Sequence, residues 1–371
     1  CILTADFPGI RFDERGICNY CAWHEDLEAE YPNQGSPSKK ALEELVNKIK
    51  KSGTNKPYDC VTGISGGRDS TYMLFLAKQL GLRPLAVHFD NGWNSAIAAR
   101  NIKNACEALD VDLYTHVANW EEFRNLQLSF LKASTSDAET PTDVAIMGVL
   151  FKAAAENDIK YILNGHSFRT EGLSPIEWTY MDSYYIHKVH KRFGSTKLDS
   201  VPLFGIWDYL INLVFRGIKL VPLINFVDYD HEKIDRILEE ELGWEYYGGH
   251  HHESYYTKFF QSYLLPQKFS IDKRLLELSA KLRSGYITRN HALEEISKPY
   301  EFSEELIEYT INKLGLTHDE FMDILSLPVK SFRDYPSIYP LLHTFRKPIH
   351  MATKMGLISP LLYTKYLGME D

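Results

Sequence analysis

The feature that most restricts this chain is a repeated alternation of short apolar runs with longer stretches of helical spacing. Residues 58–64 are an apolar run of strand length, residues 70–80 have helical periodicity, and Gly81 stops them. The order repeats: 84–89 strand, 96–109 helix, 113–117 strand, 143–156 helix, 161–163 strand. Strands separated by helices of this length do not close as hairpins. They predict an α/β fold with a doubly wound parallel sheet of Rossmann-like type. Ligands on such sheets bind beyond the carboxyl ends of the strands, where the strand order reverses.

Those strand ends carry the distinctive residues. After the first strand comes Ser65-Gly66-Gly67-Arg68-Asp69-Ser70. Two adjacent glycines let the backbone turn tightly and approach a ligand closely. The helix that follows points unpaired N–H groups and its positive dipole end at the same place. Ser65 and Ser70 add hydroxyls. Asp69 suits a phosphate site only where it helps to hold Mg²⁺. The lysine of a Walker A loop is absent. The second strand ends in His88, Phe89, Asp90 and Asn91, and the fourth in Asn164, Gly165, His166 and Ser167. Each alone reads as a loop with a polar tip; together they predict an ATP pocket. The SGGxDS hexapeptide resembles the signature of the PP-loop ATP pyrophosphatases, of the adenine-nucleotide α-hydrolase type. Members of that family split ATP between the α and β phosphates.

Composition narrows the partners. The net charge is −9 and the pI about 5.9, which argues against a nucleic-acid partner, since phosphate neutralisation needs a basic surface. No signal peptide is read, and cytoplasmic location is the default expectation. The most apolar stretch, 203–227, is broken by Asp208, Asn212, Arg216 and Lys219. No membrane span is expected there; a buried helix pair is.

The five cysteines are Cys1, Cys18, Cys21, Cys60 and Cys106. An odd count argues against a disulfide framework. Cys18 and Cys21 form a C-x-x-C knuckle fit for tetrahedral Zn²⁺, with Cys1 as third ligand. The fourth is His24 or a cysteine preceding Cys1, since a chain starting at Cys1 lacks a natural start. Three regions are expected: 1–35 as the zinc knuckle, 40–170 as the PP-loop domain, and 171–371 as an aromatic-rich, helical substrate and partner region. Residues 33–39 read as a linker, followed by a helix over 40–51. Residues 168–230 read as irregular. Helices are predicted over 233–242, 271–283, 291–296, 303–314 and 318–325.

Further motifs narrow the resemblance. Pro8-Gly9-Ile10-Arg11-Phe12-Asp13, Gly16-Ile17-Cys18-Asn19-Tyr20-Cys21 and Asn164-Gly165-His166 with Thr170-Glu171-Gly172 belong together. So do Gly248-Gly249-His250-His251-His252-Glu253-Ser254 and Leu265-Pro266-Gln267-Lys268-Phe269-Ser270-Ile271-Asp272-Lys273-Arg274. With the SGGRDS loop, they resemble the N-acetyl sugar amidotransferases of bacterial surface-polysaccharide (lipopolysaccharide, O-antigen) synthesis. The first knuckle cysteine is absent, and three consecutive histidines stand where that group has fewer. The resemblance implies adenylylation of the acetamido oxygen of a nucleotide-linked sugar, then displacement of AMP by ammonia to leave an acetamidine. With no glutaminase in the chain, ammonia would come from a glutamine amidotransferase partner through a channel-forming, cyclase-like subunit.

The site residues implied are as follows. Ser65, Gly66, Gly67, Arg68, Asp69, Ser70, His88, Asp90, Asn91, Gly165 and His166 would bind ATP. Asp69, Lys268, Lys273 and Arg274 would act in catalysis, and Glu171, Trp178, His251 and Glu253 would meet the sugar. For any one cation, the plain alternative is a solvated surface charge. Asp143 reads equally as a helix-start charge. Rival readings are a tRNA-thiolating PP-loop enzyme and an AMP-forming carbon–nitrogen ligase of another metabolite. Thiolation needs reactive thiols, and Cys60 and Cys106 fall inside a strand and a helix.

Overall fold

The computed structural model describes residues 1–249, 252–355, 358 and 360–368. Its centre is a five-stranded sheet of β1 (Cys60–Gly63), β2 (Pro84–Asp90), β3 (Leu113–Val117), β4 (Tyr161–Leu163) and β5 (Lys219–Val221). The order is β3-β2-β1-β4-β5 and every pairing is parallel. The predicted doubly wound sheet is therefore present. β5 is an addition: it lies inside the stretch read as irregular, and only its pairing with β4 makes it a strand.

The helices around the sheet are α1 (Asn19–Glu30), α2 (Gly35–Ser52), α3 (Arg68–Gln79), α4 (Ala96–Ala108), α5 (Trp120–Ala133), α6 (Thr140–Glu156), α7 (Ser183–Phe193), α8 (Ile206–Leu210) and α9 (His231–Leu242). One face of the sheet is covered by apolar side chains of α2, α3, α4 and α9, including Val46, Met73, Ile102 and Leu238. The other is covered by α6 through Ala145, Val149 and Ala153, with Phe123 of α5. β5 and α9 thus complete the sheet layers although they lie beyond residue 170.

The remaining α-helices among the described residues are α10 (Tyr255–Phe259), α11 (Leu265–Phe269), α12 (Arg274–Arg283), α13 (Arg289–Ser297), α14 (Glu304–Leu314), α15 (His318–Ser326), α16 (Tyr339–Thr344), α17 (Arg346–Lys354) and α18 (Pro360–Tyr363). α10, α11, α14 and α15 share an aromatic core with α5 and α7, built on Trp93, Phe130, Tyr185, Phe259, Phe321 and Phe332. The expected linker 33–39 mostly forms the first turns of α2.

The apolar stretch 203–227 departs from expectation. It is no buried helix pair: α8 runs into a wide turn over Ile211–Phe215, and Trp207 and Phe215 are 74% and 82% exposed. No helix among the described residues is long and apolar enough to cross a membrane.

Candidate active site

β2 and β3 lie to one side of β1, and β4 and β5 to the other. The order therefore reverses between β1 and β4, and it is beyond the carboxyl ends at such a point that ligands of these sheets bind. The turn after β1 is Ser65 to Ser70, and the turn after β4 is Asn164 to Ser167. Chain topology thus places both predicted loops at one switch point.

The first loop is held from several sides. Gly66 has φ +80°, and a β-carbon there would meet the carbonyl oxygen of Ala98 at 2.3 Å, so only glycine fits. Its own carbonyl accepts from Trp244 Nε1 at 3.0 Å and Asn101 Nδ2 at 3.1 Å. Ser65 N donates to Ser70 Oγ at 3.1 Å, and Ser70 Oγ donates to Gly67 O at 3.2 Å. The backbone N–H groups at the start of α3 face inward: Gly67 N donates to Ser65 Oγ at 3.3 Å and Arg68 N to Tyr247 Oη at 3.1 Å. Ser65 Oγ donates in turn to Glu253 Oε1 at 3.0 Å. A side chain at Gly67 would collide with Glu253 and Tyr247, whose atoms lie 2.8 and 3.1 Å from its place. Glu253 and Tyr247 thus lie directly against the first loop.

Asp69, in the first turn of α3, accepts a hydrogen bond from Tyr229 Oη. Tyr229 is buried, and burial together with the Asp69 charge holds its hydroxyl well above its ordinary pKa, so it stays a donor. The Arg68 side chain turns away from the loop to Asp235 of α9, with its second contact at 2.8 Å. Its backbone N–H, not its guanidinium, belongs to the cradle.

His88 lies buried behind the loop. One ring nitrogen meets Ile64 O at 2.8 Å and the other Asn94 Nδ2 at 2.8 Å. Burial lowers its pKa, so the neutral ring braces β2 against the residue preceding Ser65. The Asp90 carboxylate and Asn91 carboxamide oxygens accept from Gly92 N and Trp93 N, at 2.9 and 3.2 Å, and shape their own turn. On the β4 side, His166 Nδ1 meets Glu171 Oε2 at 2.9 Å, and Ser167 N donates to Glu171 Oε1 at 3.1 Å. A β-carbon on Gly165 would lie 3.4 Å from Asp69 O. The two loops therefore touch.

Two assignments read from sequence are corrected. The Lys268 ammonium donates to the carbonyls of Ile324, Leu325 and Leu327 at 2.8–2.9 Å. All its N–H groups cap the end of α15, which leaves none for catalysis. Trp178 does not face a sugar; it is buried against Phe7, Tyr20 and Cys18, with its ring 5.1 Å from Phe7. Arg274 is engaged by Asp272 at 2.7 Å and stacks on Tyr300 at 4.0 Å. Lys273 stands at the start of α12. His251 lies outside the described residues.

The cysteine knuckle forms. Cys18 Sγ lies 3.4 Å from Cys21 Sγ and 3.8 Å from Cys1 Sγ, and the three sulfurs lie within 4.8 Å of one another. Thiolates on a tetrahedral Zn²⁺ with bonds of about 2.3 Å lie about 3.8 Å apart, so the spacing fits. His24 is not a fourth ligand: its Nε2 meets Ser284 Oγ at 3.2 Å and Glu28 at 3.5 Å. The hydrogen bond from Cys18 lowers the pKa of Cys21, and the buried Arg283 acts in the same direction. Tyr229, Tyr247, Trp244 and Asn101 were missed from sequence, because isolated aromatic and amide residues carry no motif.

Comparison with known proteins follows this division. Residues 253–348 match the family model described as LPS biosynthesis protein WbpG-like, C-terminal domain. A protein of Methanocaldococcus jannaschii described as uncharacterised is 28% identical over 158 residues, 42% of this chain and 53% of its own length. The chain thus spans about half the length of that relative. Among solved structures, an NMN synthetase from Francisella tularensis is similar at 14% identity and TM-score 0.32, covering 80% of this chain and 99% of its own. An NH3-dependent NAD synthetase from Campylobacter jejuni is similar at 16% identity and TM-score 0.29, covering 56% and 93%. At such scores the fold rests on the sheet order itself. Residues 253–348 are thus similar to the C-terminal domain of the WbpG-like lipopolysaccharide-biosynthesis proteins, and they follow a parallel sheet whose first strand runs into the SGGRDS loop.

Proposed function

We propose that this protein is an ATP-consuming, AMP- and pyrophosphate-forming sugar amidotransferase of lipopolysaccharide synthesis. The observation that carries the reading is the meeting of the SGGRDS and Asn164-Gly165-His166 loops at the switch point of the sheet, where a β-carbon on Gly165 would stand 3.4 Å from Asp69 O. The WbpG-like segment begins at Glu253, which accepts from Ser65 of the first loop, and this supports a sugar substrate of lipopolysaccharide synthesis.

In this reading ATP displaces the Ser65 and Tyr247 hydroxyls from the N–H groups of Gly67 and Arg68, which with the positive end of α3 take the phosphates that become pyrophosphate. Asp69, steadied by Tyr229, and Glu253 are the carboxylates that would hold Mg²⁺, which neutralises phosphate charge when bound. The acetamido oxygen of a nucleotide-linked sugar attacks the α-phosphorus of ATP; the bond to the bridging oxygen breaks and pyrophosphate departs. The amide loses its N–H proton, leaving an O-adenylyl imidate. Ammonia adds to the imidate carbon, AMP departs with the C–O bond, and an acetamidine remains. The acetamido carbonyl is a weak electrophile, and adenylylation supplies its leaving group. Ammonia would reach the site from a glutamine amidotransferase through a channel-forming subunit, and Zn²⁺ on Cys1, Cys18 and Cys21 would serve structure alone.

The thiolation alternative loses support because burial raises the thiols of Cys60 and Cys106, the latter to about 11. The deciding experiment incubates the chain with ATP, Mg²⁺, nucleotide-linked N-acetyl sugars and ¹⁵N-ammonium. AMP, pyrophosphate and a ¹⁵N-labelled acetamidine are expected. ADP and orthophosphate would overturn the reading, and AMP with another labelled amide would move it to a different carbon–nitrogen ligase.

A further inference from the structure

The last described stretch reverses the charge of the molecule. Residues 335–368 include Arg346, Lys347, Lys354 and Lys365 but no Asp or Glu, in a chain of net charge −9. Within it, α17 has no buried residue. A helix of a globular domain normally buries one stripe against its neighbours; this one leaves its stripe outside. Met351 and Met355 are 64% and 70% exposed, with Phe345 and Leu341 exposed beside them. Lys347, Met351 and Met355 follow at intervals of four and so share one face. With Pro348 and Ala352 they line a groove of about 460 Å³.

Long apolar side chains fringed by lysines, with no acidic group among them, match a surface that is apolar inside and anionic outside. Lysine stems lie along apolar material while their ammonium groups reach the charged rim. A second copy of this face is the poorer occupant, since it would oppose the same cations to themselves.

We propose that the face built by residues 339–355 docks on an anionic phospholipid surface, α17 lying in the interface plane. This does not rest on the reaction assigned above.

The test is flotation of the full chain with neutral phosphatidylcholine vesicles, and with vesicles in which about a third of the lipid is phosphatidylglycerol. Binding is expected to the anionic vesicles only, and to fall steeply as salt shortens the screening length. Lys347→Gln with Lys354→Gln should weaken partition about 30-fold, two charges at the ordinary worth of a basic residue beside an anionic leaflet. Met351→Asp with Met355→Asp should abolish it. Circular dichroism and AMP formation should stay unchanged, because among the described residues α17 packs on α16 and α18 rather than on the loops of the candidate site. Absence of binding, equal binding to neutral vesicles, or unaltered binding by both double variants would overturn the proposal. So would a wild-type dimer that Met351→Asp with Met355→Asp turns into monomer, which would make the face a self-contact.

Discussion

Replacing Asp69 by Asn separates the chemistry of the phosphate loop from its support. The substitution keeps shape and leaves Oδ1 to accept from Tyr229 Oη, but it removes the charge. A hydrogen bond to a charged group contributes roughly 1.5–3 kcal/mol and a neutral one roughly 0.5–1.5, so the stability loss should be about 1–1.5 kcal/mol. In a chain this long that is a shift of about 2 °C in melting temperature. The effect on reaction should be far larger. A carboxylate that helps to hold the metal over the leaving pyrophosphate acts where charge develops, and loss of such a group costs roughly 10²–10³ in rate. Tyr229→Phe is the companion: it keeps the charge and removes only the support. It should lower AMP formation about tenfold while destabilising by about 1–3 kcal/mol, because a half-buried carboxylate loses its donor. The assay is AMP release from ATP with acceptor and ammonium, beside thermal melts of both variants. AMP formation by Asp69→Asn at the wild-type rate would refute the assignment of the loop. A larger loss in Tyr229→Phe than in Asp69→Asn would show that the two act through folding instead.

Three further outcomes are expected. Lys268→Met removes the cap from α15 and should cost about 1–3 kcal/mol in a denaturant melt, with the KM for ATP unchanged; an altered KM would return Lys268 to the site. Asp137, buried beside Tyr185 at 3.1 Å, has its pKa raised to about 7 by burial. The folded state therefore keeps a proton that the unfolded chain releases above about pH 4, so stability falls as pH rises between 4 and 7. The slope from this group is at most about 1.4 kcal/mol per pH unit, and Asp137→Asn should flatten it; an unchanged slope would place the titration elsewhere. The purified chain should bind one Zn²⁺, and Cys21→Ser should lose it, as read by metal analysis and a lower melting temperature. Arg283→Met should retain the metal but weaken it about 10–100-fold, as expected for an outer donor to a ligand; equal affinity in that variant would reduce Arg283 to packing.

The periodicity of the first half determined a parallel α/β sheet, because strand and helix periods are local properties written along the chain. The SGGRDS turn was legible for the same reason: its glycines, hydroxyls and following helix are contiguous. The Cys18–Cys21 knuckle could be read by its spacing, though its partner Arg283 could not. What only tertiary structure decided is which distant residues serve that turn. Tyr229, Tyr247, Trp244 and Glu253 reach it from far along the chain, and no local pattern marks an aromatic hydroxyl that will meet a loop. The same holds for Lys268, which the motif suggested for catalysis and the fold spends on three carbonyls, and for Trp178, which packs in a core. A side chain's chemistry is fixed by its type, but its role is set by what stands within hydrogen-bond reach, and that depends on the path of the whole chain.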